Sequence, residues 1–411
     1  MQRYLVGGAV RDKLLGRPVR ERDWVLVGAR PDELIAAGYR QVGKDFPVFL
    51  DPHSGDECAL ARTERKSGSG YTGFAVHAAP DVTLEEDLLR RDLTINAIAE
   101  SADGELIDPY GGRADLDARR LRHVSTAFVE DPLRVLRVAR FAARYHHLGF
   151  AVAPETIELM GRIANSGELA TLVHERVWQE TQRALGERDP QIYFAVLREC
   201  GALAEIFPEI ERLFGVPQKA QWHPEIDTGV HNQMVLEQTA RLSNSPLARF
   251  AALCHDLGKG TTPADILPSH HGHEERGAKI AEAMCARLRA PREYRDIAVL
   301  TARWHSHCHR AFELRPDTLL KTLEGCDALR RPQRFELFLL ACTGDARGRT
   351  GHEGDAYPQA DYFRGALAAA QSIDAAAIAR SVEGPEVPKA IAKARIAALT
   401  QYKAGAGRSR P

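Results

Sequence analysis

The chain has 411 residues, 44% hydrophobic and 27% charged, with a formal net charge of −1 at pH 7. That length exceeds one hydrophobic core and predicts two to four domains, while the composition excludes wholesale disorder. No apolar stretch approaches the roughly 18 residues that span a bilayer, and Met1 leads straight into a strand-like YLVGG, so a cytoplasmic protein with no membrane partner is expected.

In chain order, alternation in YLVGG, DWVLVG, VFLD and ECALAR predicts short strands, with a helix between Gly8 and Gly16. The first 120 residues therefore read as α/β. KSGSGYTG, residues 66–73, predicts a mobile loop, because Gly and Ser bury little apolar surface. From Pro132 onward the apolar spacing is helical, with breaks near Pro154, Gly167, Gly186 and Gly215. Nine of the sixteen histidines then fall between His223 and His309, which marks a compositional boundary. Beyond Arg349 the chain turns Ala-rich and ends in KAGAGRSRP, a basic tail expected to fray. Seven cysteines without a CxxC pair read as reduced thiols, not a disulfide framework or a zinc knuckle.

Four segments of the N-terminal part suggest chemistry. Gly7-Gly8 ends a strand and opens a helix bearing Arg11, a place where backbone N–H groups and a guanidinium can hold a phosphate, although such a pair is also an ordinary tight turn. Glu21 and Asp23 lead into WVLVG, and a period of two puts both carboxylates on one face, where shared divalent cations relieve their repulsion. RRDLTINAIA places Arg90 and Arg91 before an expected apolar helix. In EDPLRVLRVAR, Asp131 suits an N-cap and Pro132 the first helical position. Arg134, Arg137 and Arg140 then form a stripe opposite Leu133, Leu136 and Phe141, with no matching acids on that helix. Seven arginines against two acids between Arg119 and Arg144 make the segment strongly basic despite the neutral total.

GGAVRD, the strand start at Asp23, RRDLTINAIA and EDPLRVLRVARF together resemble the four ordered motifs of bacterial class II CCA-adding enzymes, within the DNA polymerase β nucleotidyltransferase superfamily. The resemblance implies that Gly8, Arg11 and Arg91 contact nucleotide and that Glu21 and Asp23 bind Mg²⁺. It further implies that Asp131 and Arg134 read the base of CTP or ATP, while Arg137 and Arg140 hold the triphosphate. The family commonly has Asp where this chain has Glu21. The reaction implied is template-independent nucleotidyl transfer to the 3′ end of tRNA. A bacterial poly(A) polymerase would share these motifs, and a silent RNA-binding nucleotide sensor would be expected to have lost the acids.

His255-Asp256 follows the apolar run FAALC, with His231 upstream and ACTGDARGR downstream. Imidazoles with a carboxylate suit a transition metal such as Ni²⁺, Mn²⁺ or Co²⁺. The set resembles the HD phosphohydrolase superfamily, which implies His231, His255, Asp256 and Asp345 as ligands, with Asp327 competing for the fourth place. His270, His271 and His273 remain open between metal binding, phosphate binding and a plain loop. An HD domain appended to this family implies phosphatase, 2′-nucleotidase and 2′,3′-cyclic phosphodiesterase activities. The architecture expected is an α/β head over 1–130, an all-α neck and body over 131–215, an HD domain over 216–350 and a helical tail over 351–411. Oligomeric state stays open between monomer and homodimer.

Overall fold

The computed structural model describes residues 1–19, 21–42, 48–66 and 74–406. The loop predicted at 66–73 lies outside the described residues except for Lys66, as does the tail beyond Ala406. The chain divides by its contacts into two units, Met1–Ile206 and Phe207–Pro411.

In the first unit β1 (Gln2–Val6) runs into α1 (Gly8–Leu14), then β2 (Asp23–Val27), α2 (Pro31–Ala36), β3 (Arg40–Val42), β4 (Val48–Leu50) and β5 (Glu57–Leu60). An antiparallel pair, β6 (Thr63–Lys66) and β7 (Phe74–His77), precedes α3 (Leu84–Leu89), β8 (Ala99–Glu100), β9 (Leu106–Ile107) and α4 (Gly112–Asp117). Among the described residues seven strands form one sheet in the order β3-β4-β5-β2-β1-β8-β9, with β2 antiparallel to β1 and parallel to β5. Alternation along β2 sends Val25 into a cluster with Val6 and Leu88 on one face and Leu26 into a cluster with Leu34 and Phe49 on the other. Burying each such side chain contributes roughly 2 kcal/mol, so β2 is held in register from both faces. That register pairs Val6 with Asp23 and brings the Gly7-Gly8 turn to the same end of the sheet as the Asp23 carboxylate.

The rest of this unit is helical: β10 (Arg120–Leu121) is followed by α5 (Leu133–Tyr145), β11 (Ala151–Val152), α6 (Pro154–Asn165), α7 (His174–Leu185), α8 (Pro190–Glu199) and α9 (Ala202–Ile206). The expectation of unbroken helix is corrected at β11, whose backbone finds a parallel partner in β10. Breaks fall as predicted, with α6 starting at Pro154 and α7 stopping before Gly186. Leu133, Leu136 and Phe141 are buried and α5 packs against α7 and α8, but Phe141, expected opposite the arginines, has the Arg140 guanidinium over its ring at 4.6 Å.

The second unit contains α10 (Pro208–Glu211), α11 (Thr228–Leu242), α12 (Pro246–Cys254), α13 (His273–Arg287), α14 (Arg292–His309) and α15 (Pro316–Gly325). They are followed by α16 (Pro332–Arg347), α17 (Pro358–Gln371), α18 (Ala375–Ser381) and α19 (Val387–Ala406). Ala251, Ile297, Phe335 and Phe338 lie in one core, which Phe363 and Leu399 of the Ala-rich segment join. The tail expected to fray is therefore helical through Ala406, and Lys403 Nζ donates to the Leu314 carbonyl at 2.6 Å. A Cβ at Gly258 would meet the His273 carbonyl, so only glycine lets the turn after Asp256 lie against the start of α13. All seven cysteines are free and buried. Among the described residues no helix is long and apolar enough to cross a membrane.

Candidate active sites

The nine head residues singled out above, Gly8, Arg11, Glu21, Asp23, Arg91, Asp131, Arg134, Arg137 and Arg140, all line one pocket of about 820 Å³ in the first unit. Its wall adds Arg62, Arg90, Asp92, Asn96, Arg144, Arg176 and Arg183, which sets ten arginines against four carboxylates. Such an excess of guanidinium suits a polyanionic ligand.

Gly7 has a left-handed φ of 67°, and a Cβ there would lie 2.8 Å from Arg91 Nη1, so glycine lets that guanidinium reach the end of the sheet. Arg91 Nη2 in turn donates to Asp87 Oδ2 at 3.0 Å. Buried Arg11 donates through Nη1 to Asn96 Oδ1 at 2.5 Å. Asn96 Nδ2 then donates to Asp92 Oδ1 at 3.0 Å, and Arg137 Nε donates to Asp92 Oδ2 at 2.8 Å. This chain of bonds ties α1 to α5. Burial pushes the Asp92 carboxyl up, but the Arg137 charge and the Asn96 bond outweigh it and hold the group well below the usual carboxylate range.

Three expectations about these segments are corrected. RRDLTINAIA does not open a helix: Arg90 and Arg91 follow α3, a single 3₁₀ turn spans Thr94–Asn96, and β8 begins at Ala99. Leu93, Ile95 and Ala97 alternate with a period of two and are all fully buried, which an amphipathic helix could not achieve. Glu21 does not share a strand face with Asp23, because the ladder starts at the Val6–Asp23 pair. Glu21 is exposed before the strand yet still borders the pocket. Burial raises the Asp23 carboxyl, Arg91 opposes that, and Glu21 raises it further.

The third correction concerns the arginine stripe, which finds its partners on other elements. Arg134 donates through Nη1 to the Ala127 carbonyl at 3.1 Å and through Nη2 to the Arg90 carbonyl at 2.6 Å. Arg140 Nε meets Glu180 Oε2 of α7 at 2.6 Å, with both side chains buried. Nor is the basic run one surface: Arg119, Arg120 and Arg122 stay out of the pocket, and Arg122 Nε pairs with Asp115 at 3.1 Å. Asp131 accepts the Leu133 N–H at 3.1 Å, but α5 begins at Leu133 with Pro132 at its N-cap, so both residues stand one position earlier than expected. Sequence reasoning missed Arg176, Glu180 and Arg183, although their i, i+4, i+7 spacing on α7 was a readable signal. Glu180→Ala leaves the Arg140 charge buried without its carboxylate, so a loss of roughly 3–5 kcal/mol is expected in urea denaturation. A loss below about 1 kcal/mol would show instead that water reaches Arg140.

In the second unit α11 carries His231, the chain leaves α12 at His255-Asp256, and α16 carries Asp345, all buried. His231 Nε2 lies 3.1 Å and His255 Nε2 3.6 Å from Asp345 Oδ1, and His255 Nε2 is 3.1 Å from Asp256 Oδ2. His231 Nδ1 faces the Gly348 carbonyl at 3.0 Å and His255 Nδ1 the Ala252 carbonyl at 2.6 Å. A carbonyl only accepts, so each Nδ1 carries a proton and each Nε2 is turned inward toward the carboxylates, the orientation of histidines set for a metal. His255 Nε2 and Asp256 Oδ1 are buried without a hydrogen-bond partner, a costly state that a cation removes. His231, His255 and Asp345 lie close enough to share one ion, and the donor set fits a divalent metal. Burial disfavours charge on His231, but Asp345 and Glu225 outweigh it and raise that imidazole to about 9.

Of the two aspartates competing for the fourth place, Asp345 enters the cluster, whereas Asp327 accepts from Arg334 Nη2 at 3.0 Å between α15 and α16. Of the downstream histidines, His270 is bonded to Thr262 at 2.7 Å and to the Pro217 carbonyl at 3.1 Å. His271 is exposed, and His273 joins the cluster. His305 and His309 were missed, although an i, i+4 pair on one helix face was there to be read; His309 Nε2 lies 2.7 Å from Asp345 Oδ2.

Comparison with known proteins agrees with this layout. Residues 3–122 match the family described as Poly A polymerase head domain, residues 149–214 the probable RNA and SrmB-binding site of polymerase A, and residues 228–331 the HD domain. The fold and this order of segments define a polymerase-type nucleotidyltransferase head joined through a helical region to an HD domain. The multifunctional CCA protein of Thioalkalivibrio sulfidiphilus (strain HL-EbGR7) is 65% identical over 405 residues, 98% of this chain and 99% of that protein. The chain belongs to the multifunctional CCA protein family. Its fold is also that of the Bacillus stearothermophilus CCA-adding enzyme in complex with CTP, at a TM-score of 0.60 and 24% identity, covering 97% of this chain and 89% of that one. The Thermotoga maritima CCA-adding enzyme complexed with tRNA gives a TM-score of 0.62 at 19% identity over 98% and 91% of the two chains.

Proposed function

We propose that this protein adds and repairs the 3′-terminal CCA of tRNA from CTP and ATP, and that its HD domain hydrolyses phosphate esters at RNA ends. The observation that carries the first part is the convergence of Glu21 and Asp23 with Asp131 and the arginines of α5 on one pocket. Glu21 and Asp23 would hold Mg²⁺, which when bound would supply Lewis acidity and offset developing charge. The tRNA 3′-oxygen attacks the α-phosphate and pyrophosphate departs. Arg137 gives Nε and Nη2 to Asp92, at 2.8 and 2.7 Å, which aims the rest of its fork at the triphosphate together with Arg11, Arg91 and Arg140. The Gly8 turn admits the phosphates to the end of the sheet. Asp131 accepts from an exocyclic amine and Arg134 donates to ring or carbonyl acceptors, so side chains take the place of a template base.

The HD reading assigns His231, His255, Asp256 and Asp345 to a transition metal such as Ni²⁺, serving phosphatase, 2′-nucleotidase and 2′,3′-cyclic phosphodiesterase chemistry. The kinship with multifunctional CCA proteins, and the likeness in fold to CCA-adding enzymes bound to CTP or tRNA, support the CCA-adding part of this assignment. A tRNA substrate and seven reduced cysteines support a cytoplasmic location.

Incubating tRNA lacking its 3′ end with labelled CTP or ATP tests the reading: ordered addition of C, C and A is expected, and ATP-only tailing would identify a poly(A) polymerase instead. Arg134→Ala should weaken the preference for CTP and ATP over UTP and GTP by roughly tenfold or more, the value of a charged hydrogen bond, with Mg²⁺ dependence unchanged. Undiminished discrimination in a variant that melts like the parent would remove Arg134 from base reading.

A further inference from the structure

The two residues assigned to base reading are held in different ways. Arg134 is buried and fixed, because its Nη1 and Nη2 donate to the Ala127 and Arg90 carbonyls at 3.1 and 2.6 Å. Asp131 is half-buried on extended backbone ahead of α5, with φ −114° and ψ 100°. Its Oδ1 accepts the Leu133 N–H at 3.1 Å, while Oδ2 lies 3.7 Å from Arg176 Nη2 of α7. The function proposed above gives Arg176 no role.

α7 is a firm base for that guanidinium. Val177, Trp178 and Glu180 are buried, Glu180 is tied to Arg140 at 2.6 Å, and Thr181 Oγ1 lies 3.2 Å from Tyr193 Oη of α8. Arg176 itself lines the same pocket as Asp131 and Arg134.

A separation of 3.7 Å is too long for a hydrogen bond yet well within reach of charge attraction. Arg176 therefore draws Oδ2 toward α7 without fixing it, which leaves the carboxylate capacity to accept from a base. Cytosine and adenine each offer an exocyclic amine, on rings of different size, whereas uracil and guanine offer a carbonyl oxygen at the matching edge. A carboxylate under a steady lateral pull can follow the amine of either ring, and it repels a carbonyl oxygen. Released from that pull, Asp131 can turn away from the pocket, and the repulsion that rejects uracil and guanine weakens.

We propose that Arg176 is a positioning residue for nucleotide choice: through Asp131 Oδ2 it sets where the carboxylate meets the base, and so favours CTP and ATP over UTP and GTP. The inference rests on the base-reading role of Asp131 proposed above.

The test is single-nucleotide incorporation by the full chain, on tRNA ending in its discriminator base and on tRNA ending in CC, with each of the four nucleoside triphosphates. Arg176→Ala should reduce the kcat/KM advantage of CTP over UTP and of ATP over GTP by about tenfold, within the range of coupling between neighbouring residues, with KM for tRNA unchanged. Arg176→Lys should regain most of that advantage, since a point charge suffices at this distance, and thermal melting verifies that each variant is folded. Asp131→Asn should lose selectivity, because an amide also offers a carbonyl oxygen a donor, and adding Arg176→Ala to it should change selectivity no further. Equal losses with all four nucleotides, or a raised KM for tRNA with selectivity intact, overturn the inference. Selectivity lost in Asp131→Asn but kept in Arg176→Ala overturns it and leaves the base-reading role of Asp131 standing, whereas selectivity kept in both overturns that role as well.

Discussion

Asp23→Ala is expected to lower CCA addition by about a thousandfold, roughly 4 kcal/mol of transition-state stabilisation. Asp23 opens β2 opposite Val6 and is placed by a strand buried on both faces, so its carboxylate is preorganised at the pocket wall. Glu21 sits before the ladder on exposed chain and reaches the same pocket with a longer side chain. Glu21→Asp should therefore keep most of the activity, whereas Glu21→Ala should lose much of it. Hydrolysis of 2′,3′-cyclic nucleotides should survive in Asp23→Ala, because the HD ligands belong to the other unit. Single-turnover assays with tRNA ending in its discriminator base give the measurement, with thermal melting to verify folding. Loss of both activities in a folded Asp23→Ala protein would refute the separation of the two sites.

His255→Ala with Asp256→Ala should reduce metal-dependent phosphodiesterase activity to background and leave CCA addition at the parental rate. The double change removes an inward-facing imidazole and the carboxylate that touches His255, His273, His305 and Lys259. It also strips the buried Lys259 ammonium of its anionic partner, which lies 2.6 Å away, and a charge left so is costly to the fold. Asp256→Asn keeps the shape and a hydrogen-bonding oxygen near Lys259, so it separates lost chemistry from lost stability. It should also lose metal affinity, read by titration, because an amide is a far poorer partner for a transition metal than a carboxylate. Cyclic phosphodiesterase activity equal to the parent in both variants would move the hydrolytic site elsewhere.

Much of the layout was legible in residue order. The period of two in DWVLVG, the change to helical spacing after Pro132 and the proline and glycine breaks are local signals, and the elements form where those signals lie. Four motifs in sequence named nine of the residues that line the pocket of the first unit, and the HD dipeptide with His231 pointed to the second cluster. A repeat of three along α5 likewise showed that Arg134, Arg137 and Arg140 share a side of a helix.

What that side meets was decided only by tertiary structure. Arg137 pairs with Asp92 and Arg140 with Glu180, residues 45 and 40 positions away. Periodicity gives the direction of a side chain on its own helix but not the element that packs against it. For the same reason the choice of Asp345 over Asp327 needed α16 to be brought against α11. RRDLTINAIA misled because its apolar residues satisfy a strand-and-turn path that is buried all round. The convergence of His273 and His305 on Asp256 depends on three elements meeting at one point, with Gly258 admitting the closest approach. The sequence by itself determined which chemical groups the protein carries and on which elements. Packing determined which of them touch, because hydrogen bonds and ligand contacts act over about 3 Å while the residues that make them lie tens of positions apart.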